Sequence, residues 1–236
     1  MGEPVAVGVV AATPVESETI CKELNLTEVL KRGHLSVRSG DCDGVRVFVA
    51  VSGVGKANAA VASTILVTQF QVEHLFSVGI AGAYPDSGLE PGDVAIATSE
   101  TYADEGCLSQ DGWLDMEALG RPLVEVDEAC FYQSFPLFTP KGVKLPAGPF
   151  LTLSTVTGTR EASQELMRRF PQALCETMEG AAVAHVATIL GVPCTEVRGV
   201  SNMVGPRDRA SWLVEEAAEK AQREVLKLIK QLPFQG

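Results

Sequence analysis

Three polar side chains, Glu16, Glu179 and Asn202, stand at or just beyond the ends of apolar runs. A carboxylate in such a place can take a proton or accept hydrogen bonds from hydroxyls. An amide offers a donor and an acceptor side by side. In open α/β sheets ligands bind outside the carboxyl ends of the strands, so these residues could converge on one pocket. Each also has a plain structural account. Glu16 lies three residues after Thr13, the spacing of a capping box. Glu179 could cap a helix that starts at Gly180, and Asn202 could be a turn residue ahead of Gly205-Pro206. Taken one at a time, the residue types leave both accounts open.

Two glycine-containing stretches could bring backbone N–H groups to a ligand. Gly53-Val54-Gly55-Lys56-Ala57 is not a P-loop, because Ala50 stands where the first Gly belongs and Ala57 where the magnesium-binding Ser or Thr belongs. As a dinucleotide fingerprint it ends in Asn58 instead of Gly. Gly79-Ile80-Ala81-Gly82-Ala83 follows another apolar run and admits either a ligand or close packing.

The elements that must position these groups alternate between strand and helix. Val5–Ala11 is a nearly unbroken apolar run, the pattern of a strand buried on both faces, and it ends at the helix-start signal Thr13-Pro14-Val15-Glu16. Leu35–Arg38 and Val45–Val51 flank the turn Asp41-Cys42-Asp43-Gly44, and an Ala-rich helix runs from the glycine pair to about Thr68. Leu75–Val78, Val94–Ala97, Leu151–Val156, Leu174–Met178 and Cys194–Val200 read as further strands. Helices are expected near Glu161–Phe170, over Gly180–Leu190, and from Ser211 with Leu213, Ala217, Ala221, Val225, Leu228 and Leu232 on one stripe. Tyr102–Phe150 differs, holding seven of the fourteen aromatic residues. Loops and short elements over one end of the sheet are expected there, as a ligand wall, a subunit contact or a packed loop core.

The chain has 236 residues, 46% of them hydrophobic and 21% charged, which fits a single α/β domain that needs no disulfide or metal. No run of about 20 apolar residues is present, and Met1-Gly2-Glu3-Pro4 lacks the basic start of a signal peptide, so a cytoplasmic protein is expected. The six cysteines form no CxxC pair, which indicates free thiols and no metal site. A net charge of −11 repels nucleic acid and anionic lipid, and neither is expected as a partner.

Together the residues match a known pattern. Val7–Ala12 with Glu16, Ser52-Gly53-Val54-Gly55-Lys56-Ala57-Asn58, Gly79–Gly82, Cys175–Ala182 and Val197–Asn202 resemble the nucleoside phosphorylase/hydrolase superfamily over about residues 4–230. The methylthioadenosine/S-adenosylhomocysteine nucleosidases are well-known members. Met178-Glu179-Gly180-Ala181-Ala182, Ser201-Asn202 and Gly205-Pro206-Arg207-Asp208-Arg209 look most like the futalosine hydrolases of menaquinone biosynthesis.

The resemblance implies a three-layer αβα phosphorylase/hydrolase-like fold with a central mixed, partly barrel-like sheet. It implies a homodimer that needs no cofactor and hydrolyses futalosine to hypoxanthine and dehypoxanthine futalosine. Glu16 would orient and deprotonate the attacking water. Glu179 would accept from the ribose 2′- and 3′-hydroxyls, and Met178 would pack on the sugar. Ile80, Ala81, Gly82 and Ser201 would line the substrate site, and Thr155, Val156 and Thr157 would lie beside the base. Arg198 would orient Glu179 or serve as a structural ion-pair member.

Asn202 departs from the methylthioadenosine nucleosidases, which carry Asp there. O6 of a 6-oxopurine accepts and needs a donor, which an Asn NH₂ supplies while its carbonyl accepts from N7–H. A hypoxanthine-type leaving group is therefore expected, with N7 protonated from solvent. The carboxylate of Glu16 suits water better than a phosphate dianion. The alternatives are a 6-oxopurine nucleoside phosphorylase, a methylthioadenosine/S-adenosylhomocysteine nucleosidase and a non-catalytic nucleoside-binding protein.

Overall fold

Val5–Ala11 forms β1, and its unbroken apolar run has the expected cause: parallel strands flank it on both sides and helices cover both faces. The computed structural model describes residues 5–232, so the reading of Met1–Pro4 lies outside the described residues. After β1 come a short 3-10 turn at Pro14–Glu16, α1 (Glu18–Glu23), and the strands β2 (Glu28–Arg32), β3 (Leu35–Cys42) and β4 (Val45–Val51). Asp43 and Gly44 both take positive φ, 49° and 85°, as the tight turn between β3 and β4 requires. Next are α2 (Lys56–Phe70), β5 (His74–Ala83) and β6 (Val94–Tyr102).

The aromatic-rich segment holds five three-residue strands: β7 (Cys107–Ser109), β8 (Gly112–Leu114), β9 (Val124–Val126), β10 (Ala129–Phe131) and β11 (Ser134–Pro136). The chain then alternates through β12 (Ala147–Thr152), α3 (Arg160–Arg169), β13 (Cys175–Thr177), α4 (Gly180–Leu190), β14 (Cys194–Met203) and α5 (Val214–Ile229). The last helix starts three residues later than its apolar stripe predicts, and Leu213 is its N-cap.

One mixed sheet organises the molecule. β5 pairs with β1 through Leu75, Phe76 and Ser77, then bends away and pairs with β13 through Gly82 and Ala83. Between β5 and β13 the ring runs through β14, β6 and β12, so these five strands close on themselves. Beyond β5 the sheet stays open through β1, β4, β3 and β2. Side chains of β1 sort by parity. Val7, Val9 and Ala11 join the cluster with Ala221, Val225 and Leu226 of α5, whereas Val10 joins Ala59, Ala62 and Leu66 of α2 and Ala181 and Ala184 of α4. The result is three layers, αβα, around a partly barrel-like mixed sheet.

The glycine stretch Gly79–Gly82 belongs to β5, and position 79 has no room for a side chain. The reason is proximity: a Cβ built on Gly79 would collide with the Glu16 carboxylate and the Arg198 guanidinium. Among the described residues no helix is long and apolar enough to cross a membrane.

Candidate active site

A cavity of about 590 Å³ opens at the carboxyl ends of β1, β5, β13 and β14, within the size range of small-molecule sites. Glu16, Ile80, Ala81, Gly82, Val156, Thr157, Met178, Glu179, Ser201 and Asn202 all line it. Thr155 does not; it is exposed on the turn after β12. Arg198 does not line the cavity either, being buried behind it.

Glu16 is buried at the mouth of β1. Its Oε2 accepts from the Thr13 N–H at 2.9 Å and from the Thr13 hydroxyl at 2.7 Å. Its Oε1 accepts from the Ile80 N–H at 2.9 Å. The cap geometry and the cavity position therefore coexist: the hydrogen bonds that close the Pro14–Glu16 turn also fix the carboxylate against the cavity.

Glu179 sits where β13 passes into α4. Its Oε1 accepts from the Gly55 N–H at 2.8 Å, so the glycine loop that mimics a phosphate cradle holds a carboxylate instead. Its Oε2 lies 3.9 Å from Arg198 Nη1. Burial pushes the Glu179 carboxyl above the usual range, while Arg198 and the Gly55 N–H pull it back. Arg198 donates from Nε to Glu196 Oε1 at 2.7 Å and from Nη2 to Ser77 at 2.9 Å. Burial opposes its charge, but Glu196, Glu179 and Glu16 around it drive the balance firmly toward the charged form.

Behind Arg198 lies a carboxyl pair that sequence reasoning did not single out. Glu100 and Glu196 are fully buried and both border Gly180 at the start of α4. Glu100 accepts from the hydroxyls of Thr152 at 2.8 Å and Thr177 at 3.1 Å. Glu196 Oε2 is buried without a donor among the described residues. A proton carried by Glu100 supplies that donor. Burial and then the neighbouring Glu196 raise the Glu100 carboxyl well above its usual range, and burial also raises Glu196.

Asn202 owes its aim to a bulge. β14 pairs Val200 with Ala81 and Asn202 with Gly82, leaving Ser201 as the extra residue. Ser201 Oγ donates to Asn202 Oδ1 at 2.7 Å, and Asn202 Nδ2 donates to the Met203 carbonyl at 3.0 Å. One N–H and one further Oδ1 lone pair remain for a ligand.

No residue between 102 and 150 lines this cavity, so the aromatic segment forms no wall of it within the chain. Phe135 stacks on His185 and meets Tyr102 edge-on, the packed loop core that was the alternative expectation. The aromatic surface of the cavity comes instead from Trp212, with Arg207 over its ring at 4.7 Å. Neither was expected at the site, and nor was Glu176, a buried carboxyl on β13. Cys175, Glu176 and Thr177 are all buried, so no in-and-out alternation along β13 marks Glu176 in the sequence.

Chemically, the cavity offers the fixed carboxylates of Glu16 and Glu179, the amide of Asn202 and a third carboxyl, Glu176. The profile of the phosphorylase superfamily matches residues 6–232. A futalosine hydrolase of Acidothermus cellulolyticus is 32% identical over 206 residues, covering 86% of this chain and 82% of the relative. A 5′-methylthioadenosine/S-adenosylhomocysteine nucleosidase of Maridesulfovibrio salexigens is 26% identical over 231 residues, 96% of this chain and 99% of the relative. Among solved structures, the corresponding nucleosidase of Neisseria meningitidis, in complex with methylthio-immucillin-A, superposes with a TM-score of 0.82 at 24% identity. That likeness covers 96% of this chain and 99% of the other, and it is a likeness of fold.

Proposed function

The chain belongs to the phosphorylase superfamily, and from that premise we propose that it hydrolyses the N-glycosidic bond of futalosine, releasing hypoxanthine. The reading is supported most by one observation: a cavity with Glu16 and Glu179 among its walls carries an amide, Asn202, where a base would be met. Breaking a ribosyl–purine bond builds positive charge on the sugar and negative charge on the departing base. Glu16, held by Thr13 and Ile80, takes a proton from a water as it attacks the anomeric carbon. Glu179 accepts from the ribose hydroxyls and gains strength as the sugar becomes cationic, with Met178 against the sugar face. Asn202 gives its free N–H to O6 and accepts from N7–H, which stabilises the base as it leaves.

A phosphate nucleophile would face Glu16 and Glu179, and Arg207 is the sole basic residue lining the cavity among the described residues, so water is the acceptor of the glycosyl group. The same reading places the enzyme in menaquinone biosynthesis, as a cytoplasmic homodimer. A second reading, methylthioadenosine/S-adenosylhomocysteine nucleosidase, is favoured by the near-complete coverage of the Maridesulfovibrio relative.

The test is a release assay with futalosine, inosine and methylthioadenosine, each with and without phosphate. Hypoxanthine from futalosine without phosphate is the expected product. Adenine release from methylthioadenosine at a rate matching futalosine would overturn the proposed base preference, and strict phosphate dependence would overturn hydrolysis.

A further inference from the structure

Glu176 is the carboxyl that the reaction above leaves unused. It is buried, it lines the cavity, and both of its oxygens are held. Oε1 accepts from the Thr157 N–H at 2.8 Å, and Oε2 accepts from the Tyr84 hydroxyl at 3.2 Å. Tyr84 is itself fully buried, so the carboxyl cannot swing out without stranding a buried hydroxyl.

Its place in the sheet gives it a partner. On β13, Glu176 pairs with Gly82 of β5; on β14, Asn202 pairs with the same Gly82 from the other side. Residues in register on neighbouring strands project to the same face. Glu176, Gly82 and Asn202 therefore form one row across three strands, and all three line the cavity. Two strand spacings separate the outer pair by roughly 10 Å between Cα atoms, and a Cβ built on the intervening Gly82 would meet Val204 Cγ2 at 3.0 Å and Asn202 Nδ2 at 3.3 Å. A planar heterocycle in the cavity they share can meet one side group at each end of its polar edge.

We propose that Glu176 is a specificity-determining residue of the base subsite, accepting the N1–H of a 6-oxopurine whose O6 and N7 are read by Asn202. The inference rests on the proposed 6-oxopurine reading and deepens it. N7, O6 and N1 follow one another along one edge of hypoxanthine, and the groups facing them must be an acceptor, a donor and an acceptor. Asn202 provides the first two through its free Oδ1 lone pair and N–H. Glu176 provides the third.

The Thr157 N–H sharpens the argument. Left free, it would be a donor in the base pocket and would suit N1 of adenine, which accepts. Glu176 takes that N–H and presents carboxylate lone pairs in its place, turning the position from donor to acceptor. Adenine N1 then meets an acceptor, and a buried lone pair goes unpaired on each side. Burial raises the Glu176 carboxyl above its usual range, while the Thr157 N–H and the Tyr84 hydroxyl pull it back toward the ionised, accepting form.

The test uses two variants. Glu176→Val removes the acceptor and frees the Thr157 N–H; Glu176→Gln keeps the shape and weakens the acceptor. For each, kcat/KM is measured for inosine and adenosine, together with inhibition by free hypoxanthine and free adenine, and thermal unfolding checks the fold. The expected result is a fall of about ten- to hundred-fold in the preference for the 6-oxopurine, larger in Glu176→Val, with hypoxanthine inhibition weakened and adenine inhibition held or strengthened. If Glu176→Val does not fold, the same shift in the base-inhibition ratio is required of Glu176→Gln. A folded variant that keeps the parental hypoxanthine-to-adenine ratio in both measurements overturns the role of Glu176 alone. A parent enzyme that shows no preference for 6-oxopurines overturns the functional reading itself.

Discussion

In the proposed reaction Glu16 is a helix-cap residue and a general base in one side chain. Three hydrogen bonds fix its carboxylate, two from Thr13 and one from Ile80. Capping alone is worth about 1 kcal/mol, which for a chain of this size is a shift of roughly 2–4 °C in Tm. General-base catalysis is worth about 10²–10⁴-fold in rate. Glu16→Gln separates the two, because the amide still accepts from a backbone N–H but cannot take a proton from water. Turnover is expected to fall by at least about 10²-fold while Tm moves by no more than a few degrees. Steady-state rates and thermal melts check this, and a variant as active as its parent would leave Glu16 a cap and nothing more. Asn202 and Glu179 were legible in the same way, as polar residues at strand ends. Glu176 was not, since one carboxyl in an apolar strand gives no sign of whether it faces a cavity or a buried partner.

Between residue and molecule, the start of α4 gathers Glu100 from β6, Glu196 and Arg198 from β14 and Thr177 from β13. Arg198 leans on Glu196 on one side and on Glu179 on the other, so the buried pair sets the charge that Glu179 feels. Glu100 keeps its proton in the folded state above the pH at which an unfolded Glu, with a pKa of about 4.3, gives its proton up. Over that window the native state binds more protons than the unfolded state, so this group's contribution to stability is fully present below the unfolded pKa and is lost as pH rises. Glu100→Gln removes that dependence while its NH₂ replaces the donor to Glu196 and its carbonyl accepts from one of the two threonines. The Tm difference, variant minus parent, is expected to grow from pH 5 to pH 8. Melts across that range check the sign; a difference that is flat or shrinks would mean Glu100 is ionised when folded.

The longer elements were readable from apolar runs and stripes, as in β1, β4, α4 and α5, whereas the exposed β2 and the five three-residue strands were not. Ring closure was not, for it depends on β5 exchanging β1 for β13 at Gly82, a pairing between segments far apart in sequence. The bulge at Ser201 was hidden for a similar reason: one unpaired residue changes the aim of Asn202 without changing composition.

At the scale of the whole molecule, charge and cavity pull in opposite directions. The chain carries a net charge of −11, and Glu16, Glu176 and Glu179 line the site, yet the proposed substrate bears a carboxylate on its 5′ side. Arg207 is a single countercharge, exposed and already over Trp212. A field of this sign slows the approach of an anion and weakens its binding, and salt relieves both. Raising ionic strength from about 0.01 M to about 0.15 M shortens the Debye length from about 30 Å to about 8 Å, which screens the distant surface carboxylates while sparing contacts inside the cavity. The kcat/KM for futalosine is therefore expected to rise about two-fold or more over that range, whereas that for inosine, which is neutral, stays flat. Rates for the two nucleosides measured in parallel at several sodium chloride concentrations check this. A fall for futalosine with inosine unchanged would show that Arg207 outweighs the field of the whole protein at the 5′ end. Equal changes for both would assign the salt effect to the enzyme's own conformation instead of to the charge on the substrate.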